Sequence, residues 1–209
     1  MNRTSLLFII ALATPASAEV ISWNYDRYGT VTGTSTAGVV SVANWNNSWP
    51  ANPVTNLINS DGNSTTLDLA YTSLNTWSIQ GSGPALDGDG SSNKRLLNGY
   101  LNAGPAGWNP PITSSSVVLS QIPSYTSYDV IVYFSADAVD REGTVTDGTT
   151  TYYFKTLGPA SISGSNAVLT QATDTTATGY TIGANYAVFS GLTGNSKTIT
   201  VQMRDNDEW

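Results

Sequence analysis

Residues 128–135, YDVIVYFS, constrain the fold more than any other stretch of this chain. In an extended segment Tyr128, Val130, Val132 and Phe134 share one face, and Ile131 and Tyr133 share the other. Apolar residues on both faces predict a central strand covered on both sides. Similar runs recur. ISWNY (21–25) and GVVSVA (38–43) are short and β-branched or aromatic, and TTLDLAY (65–71) alternates with Leu67, Leu69 and Tyr71 inward. TWSIQ (76–80), SVVLSQI (116–122), YAVFSGL (186–192) and KTITVQM (197–203) extend the series. GTVTDGTTTYYF (143–154) reads as a hairpin turning at Asp147-Gly148, and Gly194-Asn195 as a hairpin turn between the last two strands. RLLNGYL (95–101) is short enough for one helical turn or a strand. Turn clusters recur at roughly ten- to fifteen-residue intervals, with no internal repeat and no linker. The prediction is one all-β domain over 19–209, an antiparallel two-sheet β-sandwich.

The chain opens MNRTSLLFIIALATPASA. Arg3 supplies a positive start, Leu6 to Ala13 an apolar run too short to span a bilayer, and Ala16-Ser17-Ala18 a small-residue cleavage site. Residues 1–18 are therefore expected to be a secretory signal peptide. Cleavage after Ala18 leaves 191 of the 209 residues and, by removing Arg3, takes the formal charge from −7 to −8. An exported protein, extracellular, at the cell surface or periplasmic, is expected, with no transmembrane segment in the mature chain. Cysteine is absent, which fits a bacterial exported domain better than a small disulfide-stapled module. Only 11% of residues are charged. Such a neutral, Asn/Ser/Thr/Gly-rich surface excludes nucleic acid, whose phosphates require clustered cations.

Six stretches, taken in order, resemble a known family: GVVSVANWNNSW (38–49), NLINSDGNSTTLDL (56–69), LLNGYL (96–101), YDVIVYFS (128–135), TYYF (151–154) and NYAVFSGLTGNSKTI (185–199). They look like a secreted β-sandwich domain of planctomycete and verrucomicrobial surface proteins, many of which carry a C-terminal Pro-Glu-Pro-type sorting anchor. The resemblance implies a jelly-roll sandwich, similar to galactose-binding and other carbohydrate-binding modules, and carries over no catalytic residue. The chain differs in ending QMRDNDEW without an anchor, and a truncation that removes a final strand or the anchor is expected.

Histidine is absent, so Ser-His-Asp and Cys-His nucleophile schemes are excluded, as are zinc sites built on His or Cys. The three glutamates, Glu19, Glu142 and Glu208, mark no carboxylate pair of the kind a glycosidase needs. A glycoside hydrolase or lyase is the least favoured reading. A sugar-binding surface fits better. NWNNSWPANP (44–53) sets Trp45 and Trp49 among Asn44, Asn46, Asn47 and Asn52, and NAGPAGWNPP (102–111) holds Trp108 beside Asn109. An indole covers the apolar C–H face of a sugar ring, and amides pair with its hydroxyls. The same indoles could plug the ends of a sandwich. That reading is preferred for Trp45, which follows an apolar run, and exposure is preferred for Trp108. The expected glycan site is Trp49, Trp108, Asn46, Asn47 and Asn109.

Calcium is the expected cofactor if there is one, since it takes carboxylate and carbonyl oxygens. Asp137, Asp140 and Glu142 are the first candidates, against pairing with Arg141 or solvent. Asp87 and Asp89, in LDGDGSS, are the weaker set, since no EF-hand pattern follows and a solvated turn explains them. The expected function is non-catalytic binding of an extracellular glycan or other cell-surface component. The alternative is a structural or adhesive surface module without a small ligand.

Overall fold

A computed structural model describes residues 18–79, 92–103, 112–163 and 166–204. Residues 1–17 of the expected signal peptide, Asp87, Asp89, Trp108 and Asn109 lie outside the described residues. The described chain is mostly strand. In order it contains β1 (Trp23–Asn24), a 3-10 turn (Asp26–Tyr28), β2 (Asn46–Asn47), β3 (Asp68–Thr72), β4 (Asn75–Ser78) and helix α1 (Ser92–Asn98). Then follow β5 (Gly99–Asn102), β6 (Ser114–Ser120), β7 (Tyr128–Tyr133), β8 (Val139–Thr146) and β9 (Thr151–Leu157). A second 3-10 turn (Gly158–Ile162), β10 (Thr181–Ile182), β11 (Tyr186–Leu192) and β12 (Ser196–Met203) complete it. The all-β expectation holds. Among the described residues the strands fall into a six-stranded sheet of order β10-β9-β8-β12-β6-β3 and three two-stranded pairs, β11-β7, β4-β5 and β1-β2.

Register sets the inner face of the large sheet. Leu69 lies opposite Leu119 and Tyr71 opposite Val117. Val117 pairs with Ile199 and Ser115 with Val201, and Val201 pairs with Val145. Val145 in turn lies opposite Tyr152, and Gly143 opposite Phe154. Because strand side chains alternate with period two, these residues all project to one side. The β7–β11 pair covers that side. Phe134 stacks on Phe154 with centroids 4.0 Å apart, and Tyr152 meets Phe189 at 5.4 Å. Ala187, Ile199 and Val145 complete this part of the core.

The Asp147-Gly148 hairpin forms, with a longer turn than a two-residue loop. Thr146 pairs with Thr151, and the Asp147 carboxylate caps the loop by accepting N–H bonds from Thr149 and Thr150. Gly148 takes φ +87°, which a side chain would resist. RLLNGYL becomes both alternatives in turn, the end of α1 and then β5, with Leu96, Leu97 and Tyr100 buried.

Three strand expectations are corrected. GVVSVA is a turn: Ala37 bridges Val42, and Val39 and Val40 are exposed. Gly38 there has φ +87°, and a Cβ on it would come within 2.6 Å of the Tyr133 hydroxyl, which accepts the Val39 N–H. β11 and β12 do not form a hairpin: β11 pairs with β7, and β12 inserts between β6 and β8. β7 is not central. Among the described residues its ladder partner is β11 alone, and no residue from Tyr128 to Tyr133 is fully buried.

The consequence is a cavity of about 310 Å³ between β7 and the β3–β6–β12 part of the large sheet. Its walls include Leu69, Val117, Leu119, Ile199 and Val201 from the sheet, Trp23 and Tyr25 from the N-terminal segment, and the whole of β7.

Candidate functional site

The four described tryptophans differ in what they do with the indole N–H. Trp23 donates to the Ser48 hydroxyl at 2.6 Å, Trp45 to the Val42 carbonyl at 2.9 Å and Trp77 to Asp137 Oδ2 at 2.9 Å. A buried or half-buried indole must place its single donor in this way. Trp45 is 7% exposed and packs with Val31, Ala37 and Leu96, as its place after an apolar run predicts. Trp49 is the exception. The residue is 48% exposed, and its indole N–H has no partner among the described residues.

Two neighbours hold Trp49 in place. Its backbone N–H donates to Asp26 Oδ1 at 2.7 Å. The Arg27 guanidinium lies 5.4 Å from its ring centroid and 5.1 Å from that of Tyr28, a cation shared between two aromatic faces. Arg27 also donates to the Thr76 hydroxyl at the start of β4. The 3-10 turn Asp26–Tyr28 thus brings an acceptor, a multi-donor cation and a second ring to the exposed indole. The arrangement offers an apolar plate with hydrogen-bonding groups of both signs at its edge.

The amides expected to read hydroxyls are used by the framework. Asn46 Nδ2 donates to the Ser22 and Ile58 carbonyls, and its Oδ1 accepts the Ile58 N–H. Asn47 Nδ2 donates to the Val31 and Trp45 carbonyls, and its Oδ1 accepts from Val31 N–H and Asn24 Nδ2. These bonds supply backbone partners to loops that have none in a sheet. Asn52 does the same for Tyr71, accepting its N–H at 3.0 Å and donating to its carbonyl at 2.8 Å. Asp26 and Arg27 supply the polar edge instead. The sequence signal for them, an Asp-Arg pair flanked by tyrosines in YDRY (25–28), lies more than twenty residues from Trp49 and reads locally as an ordinary turn.

Of the three acids expected to share a cation, two are bonded to different groups. Asp137 accepts from Trp77, while Asp140, with φ +58°, sits exposed. Glu142 pairs with Lys155 at 2.7 Å and accepts from the Tyr180 hydroxyl. The Lys155 bond, with that of Tyr180, holds the Glu142 carboxyl below the ordinary range. Among the described residues no three acids converge on one point. A cation at Glu142 would have to displace an ammonium already in contact.

Glu19, in the lining of the cavity, accepts from Asn59 at 2.7 Å and from the Tyr125 hydroxyl. Burial, and then the bond to Glu19, push the Tyr125 phenol up to about 12, and the bonds from Tyr125 and Asn59 lower Glu19.

No family model, curated protein or solved structure matches the chain. No described helix is long and apolar enough to cross a membrane.

Proposed function

We propose that this is an exported, non-catalytic domain that binds a neutral glycan through the Trp49 patch, on a jelly-roll-like sandwich. The observation that supports this reading is Trp49 itself, an exposed ring with a spare N–H, fixed by Asp26 and flanked by Arg27. A pyranose offers one apolar C–H face and a rim of hydroxyls. Trp49 covers the face, and the indole N–H, the remaining Arg27 donors and the Asp26 carboxylate pair with the rim. The alternative, an adhesive module, is favoured by a separate observation, the edge of β7 that has no strand partner among the described residues.

A glycan array with the mature domain tests the proposal. The expected result is binding to at least one neutral polysaccharide, weakened in Trp49→Ala by more than about 1 kcal/mol, the mark of an interface residue that matters. Absence of binding by the wild-type domain, or equal binding by Trp49→Ala, would overturn it.

A further inference from the structure

The cavity beside β7 touches every residue from Tyr128 to Ser135. Successive strand residues point to opposite faces, so a cavity over one face would meet only alternate residues. This cavity therefore runs along the edge of β7. The other edge is occupied by β11, and the register shows which groups are left over. The Phe134 N–H donates to the Asn185 carbonyl at 3.0 Å, and Val132 and Val130 lie opposite Ala187 and Phe189. In an antiparallel ladder the residues that bond to the partner alternate. Phe134, Val132 and Val130 thus face β11, and Tyr133, Ile131 and Asp129 turn their N–H and C=O groups the other way. None of those backbone groups has a partner among the described residues.

Ile131 and Tyr133 are half-buried and Asp129 is exposed, so this edge meets water only in part and stands against an apolar wall. Nearly all buried backbone groups in proteins are bonded, and cores leave few voids larger than a water. Here about 310 Å³ stands open against Leu69, Val117 and Leu119, far more than a single water occupies. A lipid or other hydrocarbon fills the apolar space and leaves the amides bare. The lining also contains two carboxylates, Glu19 and Asp129, and no lysine or arginine, so it does not suit a fatty acid. Water satisfies the amides and leaves the leucine and valine walls wet. An extended peptide does both jobs, because its backbone pairs with the edge and its alternate side chains enter the space.

We propose that β7 accepts an additional β-strand from a partner polypeptide, an extended segment with apolar side chains at alternate positions and neutral or cationic flanks. The strand pairs with Asp129, Ile131 and Tyr133 and seats its apolar side chains on the β3–β6 wall. Partner contacts are thereby assigned to an edge separate from the Trp49 patch, and the assignment stands whether or not that patch binds glycan.

The test uses the mature domain, residues 19–209, and a blocked heptapeptide, Thr-Val-Thr-Ile-Thr-Val-Thr, with a lysine at each end. Titration should perturb the amide resonances of Ile131 and Tyr133 and leave those of Val130 and Val132 largely in place. A peptide of the same sequence N-methylated at alternate residues, unable to form the ladder, should bind about tenfold more weakly or worse, a loss of about 1.4 kcal/mol. Ile131→Pro, which removes an edge N–H without touching the β11 ladder, should weaken the unmodified peptide to a similar extent. The N-methyl comparison needs no variant, so a poorly folded Ile131→Pro leaves the test intact. Equal affinity of both peptides would show an apolar pocket rather than a strand acceptor, and overturn the proposal. Self-association of the free domain that protects the same amides would assign the edge to a second copy, and overturn it as well. So would Ile131 and Tyr133 amides already protected in the free monomer.

Discussion

At the β8–β9 end of the space between the layers, Val145 and Phe154 have no exposed surface, and Phe154 stacks on Phe134. At the β3–β6 end, Val117 and Leu119 are only half-buried, though they belong to the same inner face of the same sheet. Composition does not separate the two ends, since both walls are valine, leucine, isoleucine and aromatic. Pairing does. Both β8 and β6 are interior strands of the large sheet, but β11, the facing strand at the filled end, is bonded to β7 on one edge and, at Tyr186, to Thr170 and Ala172 on the other. The facing strand at the other end, β7, is bonded on one edge only among the described residues, and the cavity runs along its other edge. Apolar side chains fill a layer when the backbones that carry them are held at the right spacing, and hydrophobicity alone does not close it.

The largest test of that contrast is deletion at the filled end. Phe154→Ala should cost about 3–5 kcal/mol in urea unfolding, because it removes a stacked ring from a site that cannot collapse. A loss under about 1 kcal/mol would place the core elsewhere. Enlargement sharpens the comparison. Val145→Phe should cost about 1–3 kcal/mol by overpacking. Val117→Phe, facing the cavity, should stay within about 0.5 kcal/mol of wild type, the range of a surface change. Equal costs at the two positions would break the distinction.

Acid should weaken the filled end by a smaller amount. Burial raises the Asp147 carboxyl, but the Lys197 ammonium at 2.8 Å and the Thr150 and Thr149 N–H groups outweigh it and leave the group below its ordinary value. Glu142 is lowered mainly by Lys155. A carboxyl whose folded pKa is depressed adds stability that is complete above its unfolded value, about 4, and disappears as pH falls through the folded value. The urea midpoint should therefore be lower at pH 3 than at pH 6, and Asp147→Asn should reduce the difference. An unchanged pH dependence in that variant would show that the cap and ion pair contribute nothing. The smallest effect belongs to the surface patch. Trp49→Ala should alter stability by no more than about 0.5 kcal/mol, since the ring closes no part of either end. A larger loss would make Trp49 a structural plug.

Much of the framework could be read from residue order. The alternation of Leu67, Leu69 and Tyr71 put the right side of β3 inward, and Asp147-Gly148 located the β8–β9 turn, because both are local effects of backbone geometry. What failed was non-local. Gly194-Asn195 suits a hairpin, but β11 and β12 part there to join different sheets, a choice made by the strands already in place. YDVIVYFS is apolar on both faces, as a central strand would be, yet the sequence does not reveal how many neighbours a strand has. In the candidate site, Trp49 stood out as an aromatic in a polar loop, but its sequence context suited a plug and an exposed ring equally. Asn46 and Asn47 were misleading for a physical reason. The same amide chemistry that binds hydroxyls also satisfies loop carbonyls, and the backbone claims it first.

Native-state hydrogen exchange at β7 measures the central claim, that one edge of this strand is paired and the other open. In the free domain the Val130, Val132 and Phe134 amides should exchange about 100-fold or more slowly than those of Ile131 and Tyr133, since the first set is held by β11 and the second faces the cavity. Comparable slow exchange at all five positions would mean that both edges of β7 are bonded, and would contradict the account.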